Sequence, residues 1–146
     1  MLKVEGLYKS YGKTQVLKGA NLHVKPGEIV VVVGASGGGK TTFLRSVNYL
    51  EKCQKGSIQI AGEYLLKDGV YASKDKIKEL RRNVGLVFQG FNLFPHKNVL
   101  ENLIEAPIRV LKQSPEEAKG AAMEILSFLD LEDKAASYPC ELSGGQ

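Results

Sequence analysis

Lys40 and Thr41 close the run Gly34-Ala35-Ser36-Gly37-Gly38-Gly39-Lys40-Thr41, which has the spacing G-x-x-x-x-G-K-[ST]. The chemistry open to such a run is the binding of a polyphosphate. Glycines let the backbone curl closely around an anion, so that consecutive N–H groups and the start of a following helix point at it. Lys40 brings a positive charge to the β- and γ-phosphates, and the Thr41 hydroxyl is a ligand for Mg²⁺. Thr42 completes the set of residues expected at the phosphates. A glycine-rich turn with no ligand is the alternative. The choice rests on whether a strand precedes the run and a helix follows it.

Both are expected. Glu28 to Val33 contains the continuous Ile-Val-Val-Val-Val run, too short for a helix and β-branched throughout, which is what a parallel strand covered on both faces looks like. Thr42 to Leu50 places Phe43, Leu44, Val47 and Leu50 at helical spacing. Upstream, Val16 to Val24 reads as a strand stopped by Pro26-Gly27. Downstream, Ser57 to Ala61 reads as a short strand, Lys74 to Arg82 as a surface helix burying only Ile77 and Leu80, and Val84 to Gln89 as another buried strand. Asn98 to Leu111 has a helical apolar face interrupted by Pro107, which removes a backbone donor and should kink it. Ser114-Pro115-Glu116-Glu117 has a Ser N-cap, Pro at the first helical position and Glu where a capping box needs it; the helix should run to about Asp130. Strands alternating with helices indicate an α/β domain with a mainly parallel core sheet.

Composition sets the outer bounds. A chain of 146 residues with 43% hydrophobic and 25% charged residues is of the size and make-up of one ordinary globular domain. Its longest aliphatic run, Ile29 to Val33, is far short of the roughly 18 to 20 residues of a membrane span, and the N-terminus lacks the apolar region and cleavage site of a signal peptide. A cytosolic protein is the reading. Cys53 and Cys140 stand alone and suggest neither a disulfide framework nor a zinc site. The net charge of +4 arises from 20 basic and 16 acidic residues spread along the chain, so no nucleic-acid partner is expected.

A phosphate loop alone leaves kinases, GTPases and motor ATPases open, although no Asn-Lys-x-Asp guanine-reading motif occurs. Leu142-Ser143-Gly144-Gly145-Gln146 is the signature sequence of ABC ATPases, and with Gly34 to Thr41 it makes a pair that few other proteins carry. From Leu2 to Gln146 the chain resembles that family. The resemblance implies a P-loop NTPase of ABC type, with N-terminal antiparallel strands, a parallel core sheet and a helical subdomain. It implies ATP and Mg²⁺ as cofactors. Tyr11, in Lys9-Ser10-Tyr11-Gly12, matches the adenine-stacking aromatic, a buried core tyrosine being the alternative. Gln89 matches the glutamine that contacts Mg²⁺ or the attacking water; without the resemblance a lone Gln at a strand end says nothing. Ser143, with Gly144, Gly145 and Gln146, matches the site that faces the γ-phosphate held by a second subunit in a head-to-tail homodimer. Ser143 should also N-cap a helix.

The stretch Val87 to His96, followed by Val99-Leu100-Glu101-Asn102, is similar to ATP-binding subunits of polar-amino-acid uptake systems. Gly90 departs from the Gln expected there, and His96 reads as a surface residue. The implied partners are a second ATP-binding subunit, membrane permease subunits and, indirectly, an extracytoplasmic amino-acid-binding protein, with the chain peripheral on the cytoplasmic membrane face. In the family the pattern continues after the signature with a helix, an apolar strand ending in Asp-Glu, a D-loop and a switch histidine. None of these lies within residues 1–146. The chain is therefore expected to be a partial nucleotide-binding domain, incomplete at its C-terminus and without turnover alone. A non-hydrolysing nucleotide-binding or regulatory module, and a soluble ABC ATPase outside transport, are the other readings.

Overall fold

The computed structural model describes residues 1–146, which divide into two compact units, Met1–Val87 and Phe88–Gln146. In the first unit, β1 (Leu2–Tyr11) and β2 (Thr14–Val24) form a hairpin, and β3 (Lys55–Ile60), β4 (Glu63–Lys67) and β5 (Val70–Tyr71) extend the sheet in the order β2-β1-β3-β4-β5, with every pairing antiparallel. Helices α1 (Lys40–Val47) and α2 (Lys74–Leu80) contribute Phe43, Val47, Ile77 and Leu80 to the same core as Val4, Leu7, Leu17, Ile58, Leu65 and Leu66. Val4 and Leu7 are three residues apart and belong on opposite faces of a regular strand. A register shift between them puts both inside. Further register shifts follow at Leu7/Tyr8 and Lys9/Ser10, and Lys9 too is buried, with only 8% of it exposed.

The parallel core sheet expected from the sequence is not formed among these residues. Residues 28–33 belong to no strand and have no sheet partner, and Ile29, Val31 and Val33 are 92%, 76% and 84% exposed, whereas Val30 and Val32 are each 40% exposed. Exposure thus alternates along the segment, with Val30 and Val32 the less exposed residues. Residues 84–88 are likewise unpaired, and Val87 is 91% exposed. The composition of a two-face-buried strand is present in both. A strand is completed by hydrogen bonds to a neighbour, however, and no segment within 1–146 supplies one.

The second unit packs α3 (Val99–Arg109) against α4 (Pro115–Phe128). Both carry a complete capping box, Asn98 with Glu101 and Ser114 with Glu117, and the latter is the one the sequence announces. α4 buries Ala118, Ala122 and Leu126, spaced by four as one helical face requires. The first-turn N–H groups of Val99 and Leu100 donate to the carbonyls of Ser137 and Ala135 at 2.9 and 3.0 Å. α3 continues two residues past Pro107 before ending at Arg109. No helix in either unit is long and apolar enough to cross a membrane.

Candidate functional site

Residues 34–39 form the loop that leads into α1. Gly39 is its N-cap, with a left-handed φ of 88°, and a Cβ built there would lie 3.0 Å from Val16 Cγ1 and 3.2 Å from Leu17 Cδ2 of β2. Only glycine combines that backbone with that closeness. No side chain caps α1 and no acidic residue stands in its first turn, so its initial N–H groups and dipole are left for an anion. Lys40 Nζ curls back to donate to the carbonyl oxygens of Gly34 and Ala35, each at 2.7 Å. The loop thus wraps its own ammonium group, and the third ammonium proton remains for a further acceptor. Ala35, Ser36, Gly37, Gly38 and Thr41 are exposed, Thr42 is half-buried, and Phe43 anchors the first turn in the core.

Tyr11 lies at the end of β1 and is 45% exposed, which removes the alternative of a core tyrosine. Its ring has a charged backing that the sequence reading missed. Lys9, two residues before it, places Nζ 4.4 Å from the ring centroid, donates to the Lys52 carbonyl at 2.8 Å and pairs with Glu51 at 3.2 Å. Hydrogen bonds from Lys9, then from the Tyr11 hydroxyl, hold the Glu51 carboxyl below its ordinary pKa. Next to this, the Gln54 side-chain amide accepts from the Ser10 N–H at 3.0 Å and donates to the Ser10 carbonyl at 3.1 Å, while the Gln54 N–H donates to the Tyr8 carbonyl at 3.0 Å. Residues 51–54 therefore fasten the end of β1. The one signal in the sequence was a Lys two positions before an aromatic residue.

In the second unit, Gln89 stands in an exposed turn with Gly90, not at the end of a buried strand. The residues that follow it are held by Asn102, whose side-chain oxygen accepts from the Phe94 N–H at 2.8 Å and whose amide donates to the carbonyls of Phe94, Lys97 and Asn98 at 3.2, 3.0 and 2.9 Å. Lys97 pairs with Glu105, and His96 is exposed beside Phe94. The helix expected after Ser143 does not start within the chain; Gly144 and Gly145 form a turn. The cap itself is nevertheless made. The Ser143 N–H donates to Gln146 Oε1 at 2.9 Å and the Gln146 N–H donates to Ser143 Oγ at 3.4 Å. Tyr11 and residues 34–42 thus belong to the first unit, and Gln89 and residues 143–146 to the second.

The chain is 46% identical to the arginine transport ATP-binding protein ArgV of Corynebacterium glutamicum and 44% identical to the glutamine transport ATP-binding protein GlnQ of Bacillus subtilis, in each case over its whole length. It spans 59% and 58% of those two proteins. Among solved structures it is similar along its whole length to the ATP-binding cassette MJ0796, in a dimeric post-hydrolysis state bound to ADP and Pi. That match has a TM-score of 0.81 at 35% identity and covers 65% of the MJ0796 chain. The ABC transporter family profile matches residues 17–146, which take in most of β2, strands β3 to β5, the phosphate loop and the helical unit. The chain belongs to the ABC transporter family.

Proposed function

We propose that the chain is the ATP-binding portion of an importer subunit for polar amino acids, comprising a partial nucleotide-binding domain from the phosphate loop through the signature. The observation that carries this reading is the clasp of Lys40 Nζ by the Gly34 and Ala35 carbonyls at the uncapped start of α1. Gly34 to Thr42 would hold the phosphates, Tyr11 the adenine, and Thr41 the Mg²⁺ that accompanies ATP and offsets its charge; Gln89, in the second unit, keeps the role the resemblance implies, contact with Mg²⁺ or the attacking water. These residue types suit that group: an exposed hydroxyl at the second position of α1, an ammonium turned into the loop, and glycines that leave backbone N–H groups accessible.

Ser143, Gly144, Gly145 and Gln146 would face the nucleotide held by a second copy, head to tail. In the whole protein the proposed reaction is ATP hydrolysis, coupled through permease subunits to amino-acid uptake at the cytoplasmic face of the membrane. An extracytoplasmic binding protein would deliver the amino acid. Support comes from the transport names of ArgV and GlnQ and from the dimeric state of MJ0796.

Calorimetric titration of the purified chain with ATP and Mg²⁺ tests the nucleotide reading. Saturable binding that disappears in Lys40→Ala is expected, because Lys40 is the loop's only cationic side chain. Equal affinity in wild type and variant overturns the phosphate-loop assignment.

A further inference from the structure

We propose that Lys9 and Glu51 are a positioning pair that sets the Tyr11 ring as a base platform at a fixed distance from the phosphate loop. The proposal rests on the nucleotide reading above and adds residues outside the phosphate loop. An ammonium whose side chain is only 10% exposed must have its charge answered locally, and Lys9 finds Glu51 at 3.2 Å and the Lys52 carbonyl at 2.8 Å. That placement also lays the ammonium 4.4 Å from the Tyr11 ring centroid. An aromatic ring has two faces. One is covered by a cation, so a base has the opposite face alone, and the cation draws electron density from it, which suits stacking on an electron-rich purine.

Glu51 is in turn tied to α1. The N–H groups of Leu50 and Glu51 both donate to the Arg45 carbonyl, at 2.8 and 3.3 Å, closing the helix's C-terminal end. α1 has eight residues, a rigid rod of about 12 Å, and starts at Lys40 in the phosphate loop. Platform and loop therefore stand at the two ends of one mechanical link: β1 to Glu51, Glu51 to α1, α1 to Lys40. The Gln54 amide that fastens Ser10 on both its N–H and its carbonyl reinforces the link on the strand side. An ion pair used only to stabilise the sheet would need no aromatic ring under it and no attachment to the helix that carries the loop.

The test compares ATP with inorganic tripolyphosphate, which reaches the phosphate loop but has no base. In Lys9→Met the affinity for ATP is expected to fall about tenfold while that for tripolyphosphate is unchanged. Lys9→Arg, which keeps the charge, should recover most of the loss. In a Tyr11→Ala background, Lys9→Met should have no further effect on ATP, since the ring through which it acts is gone. Should circular dichroism show that Lys9→Met is unfolded, the same comparison is read on Glu51→Gln. An equal loss for both ligands, no loss for either, or a loss that persists without the ring overturns the positioning role. Failure of the underlying reading looks different: tripolyphosphate then does not bind the wild type, or binds Lys40→Ala equally well.

Discussion

Gly56 of β3 approaches Gly6 of β1 so closely that a Cβ built on it would lie 2.4 Å from the Gly6 carbonyl oxygen. The contact falls at the register shift between Glu5 and Tyr8, and Gly56 has a φ of 101°. Gly56→Ala combines an unfavourable backbone with a clash against main chain, which cannot rotate away. A destabilisation of about 2 to 5 kcal/mol is expected from chemical denaturation. A change below about 0.5 kcal/mol would show that β1 and β3 part easily at this point.

Ser143 and Gln146 cap one another before any helix has formed. Ser143→Ala should remove the acceptor for the Gln146 N–H and speed exchange of that amide about three- to tenfold, corresponding to roughly 1 kcal/mol for a lost cap. Amide exchange by NMR reads this directly. Unchanged exchange would mean that the turn at Gly144 and Gly145 is held by its backbone alone.

Tyr11→Ala should weaken ATP binding by about 1 to 3 kcal/mol, the value of one stacked base. Tyr11→Phe keeps the ring and loses only the hydroxyl, so a smaller loss, within about 1 kcal/mol, is expected. Equal losses for the two variants in calorimetry would argue that the hydroxyl, not the ring, carries the contact.

The second unit should lose stability in acid through two identifiable carboxylates. Glu105 is held below its ordinary pKa of 4.5 mainly by the hydrogen bond from Lys97, and Glu117 by the N–H of Ser114. A depressed folded-state pKa contributes stability that is complete above the unfolded value and disappears as the pH falls through the folded one. Glu117→Gln should therefore be less stable than wild type at neutral pH, the difference shrinking as the pH drops below 4.5. Urea midpoints across pH 3 to 7 measure it, and a difference that grows on acidification has the wrong sign for this account.

The parts legible in the sequence were those decided by neighbours along the chain. Ser114, Pro115 and Glu117 announce α4 because a capping box closes within four residues, and Gly34 to Thr41 announces the phosphate loop for the same reason. β1 escaped because its register shift brings Val4 and Leu7 to one face, which breaks the alternation that betrays a strand. The segments 28–33 and 84–89 were misjudged in the opposite sense: their composition is that of buried strands, but pairing is a property of two segments, and one sequence window shows only one of them. Lys9 and Glu51 were invisible as a pair because the fold, not the spacing, brings them to 3.2 Å.

Residues 29–33 carry a last, practical consequence. Five consecutive β-branched residues, without charge or proline and with outward-facing Ile29, Val31 and Val33, are of the kind that interdigitates into steric zippers between copies. Lys25, Pro26 and Glu28 stand just before the run as gatekeepers, whereas Gly34 to Gly39 on its other side bring no charge at all. A lysine in place of Val31 should therefore suppress association between copies through this ribbon while leaving Val30 and Val32, its less exposed pair, in place.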